Sequence, residues 1–239
     1  MAVKRWWLLP TVAVALLTAG LGAWQLDRAA QKEQLQQSQG ARAALPPLAG
    51  ADLPRTTAQV PAQLHRRAQL QGHWLNEESI YLDNRLMAGR AGFYLVTPLL
   101  LDDATAVLVQ RGWMARALQD RTRVAPPPAV PDGAPVIGRI APALARLYEF
   151  DDAVAGPIRQ NLDIDAYARE TKRSLRPWVL VQLDSPSLPS DGLLRQWPEP
   201  SAGVHKNYGY AFQWFSLSLL TIFLYVWFQF IRPHRRRAA

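Results

Sequence analysis

Two uncharged runs, one near each end, constrain this chain more than anything else in it. Between Arg5 and Asp27 lie 21 residues without a charge, WWLLPTVAVALLTAGLGAWQL, and between Lys206 and Arg232 lie 25 more, NYGYAFQWFSLSLLTIFLYVWFQFI. A hydrocarbon core of about 30 Å takes roughly 20 apolar residues at helical rise, and lipid favours helix because backbone groups find no water there. Each run therefore predicts a membrane-spanning helix, over 6–26 and 208–231. Aromatic residues mark their edges, Trp6, Trp7 and Trp24 on the first and Tyr208, Tyr210, Trp214, Tyr225 and Trp227 on the second, as expected of interfacial belts.

The flanking charges set the orientation. Lys4 and Arg5 precede the first run, and Arg232, Arg235, Arg236 and Arg237 follow the second, with no acid beside either group. The positive-inside rule places 1–5 and the basic 232–239 in the cytoplasm and 27–207 on the outer face, which in a bacterium is periplasmic. Lys4–Arg5 followed by Leu8–Leu21 also resembles a cleavable leader. Leu21 is a poor residue at the third position before a cut after Ala23, however, and the apolar run continues to Leu26, so a retained anchor is expected. An Arg- and Ser-rich transit segment is missing, which favours the inner membrane of a bacterium over an imported precursor. Thr11, Ala15, Ala19 and Ala23 recur every four residues and predict a strip of small side chains, packed on the second span or on a partner subunit.

With six excess positive charges at the termini, the net charge of +8 loses its usual meaning. Residues 27–207 carry 21 basic and 19 acidic side chains, interspersed, so no phosphate-binding patch and no nucleic-acid partner is expected. The absence of cysteine excludes disulfides, thiolate metal sites and cysteine nucleophiles together.

For the outer segment the expected class is α+β, mostly antiparallel β as a sheet or small barrel around one core, between the two membrane helices. Gln25–Ser38 is rich in helix formers and extends the first helix over 27–39, with Gly40 as its stop. Residues 40–61 carry four prolines and read as a linker hugging the surface. Over 62–200, strands are expected at Ala68–Gln71, Ile80–Asn84, Phe93–Leu100, Val107–Trp113, Val136–Ile140 and Val179–Leu183. One helix is expected near Asp163–Thr171, and Val124–Pro135 reads as a polyproline-like connection. VLVQ occurs at Val107–Gln110 and at Val179–Gln182, which strand composition alone explains.

Chemical motifs are sparse. There is no GxSxG, HExxH, GxxxxGK[ST] or GxGxxG pattern and no zinc-spaced histidine cluster. His65 and His73 read as surface residues, and a hydrolase built on either is the weakest of three functional readings. Copper delivery lacks its soft ligands, since there is no Cys and only three Met. His205 stands beside the outer end of the second span, where a haem could lie with one imidazole on iron and its propionates near Arg28, Lys206 or Arg195.

Six segments, in order along the chain, carry a family resemblance. They are GAWQLDR (Gly22–Arg28), LDNR (Leu82–Arg85), GFYLVTPL (Gly92–Leu99), VLVQRGWM (Val107–Met114), DGLLRQW (Asp191–Trp197) and GYAFQWF (Gly209–Phe215). The chain resembles the Surfeit locus protein one family, also called the Surf or Shy family, membrane factors for cytochrome c oxidase biogenesis. Gln110 stands where the family usually has Asn.

The resemblance implies a non-enzymatic assembly factor that meets the oxidase catalytic subunit and other assembly factors, with a transiently held haem a as the one cofactor implied. The matching positions are Trp24, Gln25, Arg28, Arg85, Arg111, Gly112, Trp113, Tyr210, Gln213 and Trp214. Arg85 and Arg111 are expected to bind propionates, to brace the sheet against a partner, or to be ordinary strand arginines each paired to a carboxylate. Gln213 is expected to bond across the two helices. The family's usual haem-ligand candidate lies three residues before the Tyr of YAxQWF, which here is Asn207. His205 is displaced from it by about 200° on a helix, and reaches an iron only if the segment is not helical. The competing reading is an envelope tether that binds a protein partner without cofactor.

Overall fold

The computed structural model describes residues 5–116, 124–131, 133–148, 156–185, 190–198 and 203–232. Two compact units emerge, one from 1–38 with 198–239 and the other from 39–197.

The first unit is a pair of long helices. After a 3₁₀ turn at Arg5–Trp7, α1 runs over Leu8–Ala43. Pro10 falls in its first turn, where the N–H lacks an intrahelical acceptor anyway. The helix passes through Gly40, contrary to expectation. One glycine costs only about 1 kcal/mol in a helix, and good helix formers surround it. The stop comes where Pro46 and Pro47 deny the preceding residues a helical continuation. α4 covers Val204–Val226 and continues as a π turn over Trp227–Ile231. Leu8–Ala43 and Val204–Ile231 are both long and apolar enough to cross a membrane.

The fully buried residues on these helices are small or of modest size: Ala15, Thr18, Gly22 and Ala29 on α1, and Val204, Ala211 and Ser218 on α4. Along α1 a line of buried and half-buried positions runs through Thr11, Ala15, Thr18, Gly22, Gln25, Ala29 and Lys32, with Ala19, Leu21, Glu33 and Gln39 half-buried off it, and along α4 it runs through Val204, Asn207, Ala211, Trp214, Ser218, Thr221 and Tyr225. Both series alternate steps of three and four, the signature of a heptad seam. The expected four-residue strip is thereby corrected: Ala19 is half-buried and Ala23 exposed, because a strict period of four drifts round a helix of 3.6 residues per turn. At Gly22 a Cβ would stand 2.8 Å from the Phe215 ring, so glycine is what admits that ring. The Ser218 hydroxyl donates to the Ala15 carbonyl at 2.9 Å.

In the second unit, α2 (Val60–Gln63) leads into an eight-stranded sheet. Its strands are β1 (Arg67–Leu70), β2 (His73–Trp74), β3 (Ile80–Met87), β4 (Arg90–Leu100), β5 (Ala106–Ala115), β6 (Val136–Ala141), β7 (Ile158–Arg159) and β8 (Leu175–Gln182). The order is β1-β6-β8-β5-β4-β3-β7, with β2 on β4. Most pairs are antiparallel, and the terminal strands β1 and β7 do not pair, so the path is a sheet rather than a closed barrel among the described residues. The β3–β4 hairpin turns at Ala88 and Gly89, both at positive φ, as a two-residue I′ turn requires.

The central pair β5–β8 is parallel, and the two VLVQ segments lie side by side in it, Leu108 opposite Val179 and Gln110 opposite Val181. Central parallel strands are buried on both faces and read as unbroken apolar runs, which explains the repeated tetrapeptide. β8 starts earlier than expected, at Leu175, and its register shift against β5 brackets Pro177, which has no N–H for the ladder.

Burial on both faces also divides the interior, so the expectation of one core fails. Val107, Val109, Trp178 and Leu180 join a cluster sealed by Leu48, Leu53 and Val60, while Leu108, Trp113 and Val179 meet Tyr167 of α3 (Ile164–Thr171) on the other side. The linker over 40–61 therefore does more than follow the surface, because its apolar side chains cap one face. Leu48 also bridges to Ala68 of β1. α3 starts as expected, with the Asp163 carboxylate accepting from the Ala166 N–H at 3.0 Å.

Candidate functional site

The matching residues fall into two groups, one in each unit. In the helical pair, Gln25 and Asn207 face each other at the seam. The Asn207 amide donates to Gln25 Oε1 at 2.7 Å, and its Oδ1 accepts from Lys32 Nζ at 2.8 Å. Tyr208 donates to Glu33 Oε1 at 2.9 Å. The result is a polar clasp at one end of the seam, half-buried and satisfied within the pair.

Haem, implied by the resemblance, does not fit this clasp. Both ends of the Asn207 amide are engaged, and an amide is in any case a weak iron ligand. The segment is helical at His205, the condition under which that imidazole turns away from position 207, and His205 is exposed. Arg28 is exposed and donates to Gln31 Oε1 at 3.2 Å, and Lys206 is exposed. Arg195 belongs to the other unit. Its Nε donates to the Arg111 carbonyl at 2.7 Å, while Asp184 and Asp191 take its remaining nitrogens.

Gln213 departs from expectation as well. It points outward, and the bonds across the helices come from Gln25, Asn207 and Ser218 instead. The sequence signal for Lys32 was available, since Gln25, Ala29 and Lys32 continue the heptad past the span, but reading the span as ending at Leu26 hid it.

The second group centres on two buried arginines. Arg111 of β5 is fully buried, stacked 4.5 Å from the Trp74 ring. Its nitrogens donate to Asn76 Oδ1 at 3.2 Å and to the Pro128 carbonyl at 2.8 Å. Burial pulls its pKa down to about 10, with Asp191 opposing and Arg195 adding to the fall, so it stays a cation at neutral pH. Arg85 of β3 is buried, donates to the Gln160 carbonyl at 2.7 Å, and is likewise lowered by burial. Among the described residues neither arginine has a carboxylate within ion-pair distance, and the Nε of each has no acceptor. Each guanidinium instead gathers chain segments: Arg111 holds the proline-rich connection, and Arg85 holds the strand end at Gln160.

Gly112 and Trp113 complete this brace. A Cβ at Gly112 would stand 2.5 Å from Leu193 Cβ, so the glycine lets the 191–197 segment lie against β5. Trp113 and Leu194 then exchange both backbone hydrogen bonds, at 2.7 and 2.9 Å, and the Trp113 indole donates to the Arg85 carbonyl at 2.9 Å. A cavity of about 410 Å³ opens beside this segment, with Trp74, Gln182, Asp191 and Arg195 in its wall. His65 is half-buried and His73 exposed. Among the described residues no group of three or more His, Asp or Glu side chains has metal-binding geometry.

A sequence model described as the SURF1 family matches residues 12–219, from the first helix through the brace to the second helix. The chain belongs to the SURF1 family. A SURF1-like protein of Rickettsia bellii is 26% identical over 209 residues, covering 86% of this chain and 83% of that protein. A SURF1-like protein of Dictyostelium discoideum is 30% identical over 118 residues, 47% of this chain and 42% of that one. The cytochrome oxidase assembly protein SHY1 of Saccharomyces cerevisiae is 29% identical over 106 residues, 43% of this chain and 26% of SHY1. The SURF1 match thus takes in both the clasp and the brace.

Proposed function

We propose that this SURF1-family chain is a membrane-anchored assembly factor for a terminal cytochrome oxidase, working on the haem a-containing catalytic subunit by contact and without turnover. The observation that carries this reading is the match over 12–219, joined to the likeness to a yeast protein named for cytochrome oxidase assembly. The arginine brace supports a scaffolding role, because the hydrogen bonds that its terminal nitrogens make go to the chain's own Gln160, Pro128 and Asn76 oxygens. In this reading the protein sits in the bacterial inner membrane with both termini in the cytoplasm and 27–207 in the periplasm, which the basic residues flanking the spans support. It helps the catalytic subunit acquire haem a without supplying an iron ligand from position 207.

The test is a reduced-minus-oxidised difference spectrum of membranes with and without the gene, scaled to the amount of catalytic subunit on a blot. A haem a band that falls per subunit supports the proposal. If band and subunit both stay unchanged after redundancy is checked, the cofactor-free tether takes its place.

A further inference from the structure

The helical pair leaves one polar stripe without a partner. Within the spans, Thr11, Thr18 and Thr221 return their hydroxyls to carbonyls of their own helix, Ser218 bonds to Ala15, and Gln25 bonds to Asn207. Gln229 also has an interaction. Among the Ser, Thr, Asn and Gln side chains over 6–26 and 208–231, Gln213 and Ser216 alone make no such contact, and both are exposed. They stand three residues apart on one face. At about 100° per residue, Lys206, Gly209, Gln213, Ser216 and Leu220 line the side of α4 opposite its seam with α1. Their spacing of three, four, three and four repeats the heptad of the seam itself.

An amide turned toward lipid tails has nothing to bond. Gln213 lies one turn beyond Tyr210 along the span, so water reaches it poorly, and lipid cannot replace the missing donor and acceptor. Gly209 has no atom within 4 Å of where a Cβ would stand, leaving room for close approach of another backbone. The outer end of the stripe carries Lys206, which has no ion pair among the described residues. Two copies of this chain meeting on the stripe in the same orientation would bring Lys206 against Lys206, so the charge argues against self-association. It calls instead for an acidic group.

We propose that Lys206, Gly209, Gln213, Ser216 and Leu220 form the docking stripe for a membrane-spanning helix of an oxidase subunit. That helix presents a carboxylate at its outer end, a small residue against Gly209, and an amide or hydroxyl to Gln213 and Ser216. The stripe rests on the assembly reading for the identity of its partner and names the surface that reading lacks.

The experiment places a photoactivatable benzophenone side chain at 209, 213 or 216, and at Leu219 and Ile222 as outward controls, in the full chain in its own membranes. Adducts are identified by mass spectrometry and with antibodies to the oxidase subunits. Adducts with an oxidase subunit should exceed the controls by about fivefold at the three stripe positions, and Gln213→Leu should lower co-purified oxidase roughly threefold to tenfold. Gln213 is exposed and makes no hydrogen bond across the helical pair, so that variant leaves the bonds of the seam in place. Even labelling at all five positions overturns the stripe, and so do adducts between two copies of this chain. Even labelling in a strain whose gene deletion lowers oxidase overturns the stripe alone. Adducts confined to the stripe but formed with a membrane protein outside the oxidase overturn the assembly reading together with the partner.

Discussion

The two units of this protein bury opposite kinds of residue. In the helical pair the sheltered positions hold Ala15, Thr18, Gly22, Ala211 and Ser218, while Leu16, Phe212 and Leu219 lie about 70% exposed. In the sheet unit the largest fully buried side chains are Trp113, Trp178, Tyr167, Phe93 and several leucines, with Arg111 the one charged member. Water drives large apolar side chains inward, at roughly 25 cal/mol per Å². Lipid gives no such push, so the helices associate through close backbone approach and hydrogen bonds. Each unit therefore breaks by a different kind of substitution.

The largest effect belongs to the sheet unit. Trp178 is fully buried and its indole donates to the Pro54 carbonyl at 2.8 Å, tying the 40–61 segment to β8. Trp178→Ala should cost about 3–5 kcal/mol, read as loss of protease resistance of the sheet unit in membranes. Unchanged resistance would break the contrast at its stronger end.

Next comes a substitution that adds bulk, which the helical pair should resent and its lipid face should ignore. Gly22→Leu drives a side chain into Phe215 and should cost about 1–3 kcal/mol. Because the chain has no cysteine, Ala15→Cys with Ser218→Cys supplies a clean reporter. Its disulfide should form readily in the otherwise unchanged chain and slow markedly with Gly22→Leu, whereas Gly20→Leu, with open space around it, should change little.

Removing the clasp comes third. Asn207→Leu deletes bonds to both Gln25 and Lys32, and should cost about 1 kcal/mol, seen as a lower yield of the same reporter. Asn207→His tests the haem question directly. Haem co-purifying with that variant and not with the parent protein would show that residue 207 decides ligation.

The smallest effect is one of pH. Burial, then Arg139 and Arg42, hold the His65 pKa below its ordinary 6.5. A base depressed in the folded state takes up its proton more readily when unfolded, so stability falls as pH drops through 6.5 and levels off below the folded value. A slight loss of protease resistance between pH 7.5 and 5.5 is expected, and His65→Asn, which tolerates the positive φ found there, should flatten it. A profile unchanged by His65→Asn assigns the pH response elsewhere.

Much of the fold was legible because its signals are local. Uncharged runs of span length, strand runs bounded by turn residues, and the Asp163 cap all depend on neighbours in the chain. The pairing of β5 with β8 was not, since seventy-odd residues separate two strands whose compositions say only that both are buried. The second core followed from that same pairing. At the site, the matching positions were visible in the sequence, but whether Arg111 would face a ligand or a proline carbonyl was not.

The sequence by itself determined two helices long and apolar enough to cross a membrane, a mostly β unit between them and the family, because hydrophobic length, turn-bounded strand runs and ordered motifs are properties of the chain. Tertiary structure alone decided that Gln25 and Asn207 are satisfied while Gln213 is not, and that Arg85 and Arg111 brace the sheet. Those outcomes depend on the angle at which each side chain leaves its helix or strand and on which segment lies opposite, and no residue carries that information in its own identity.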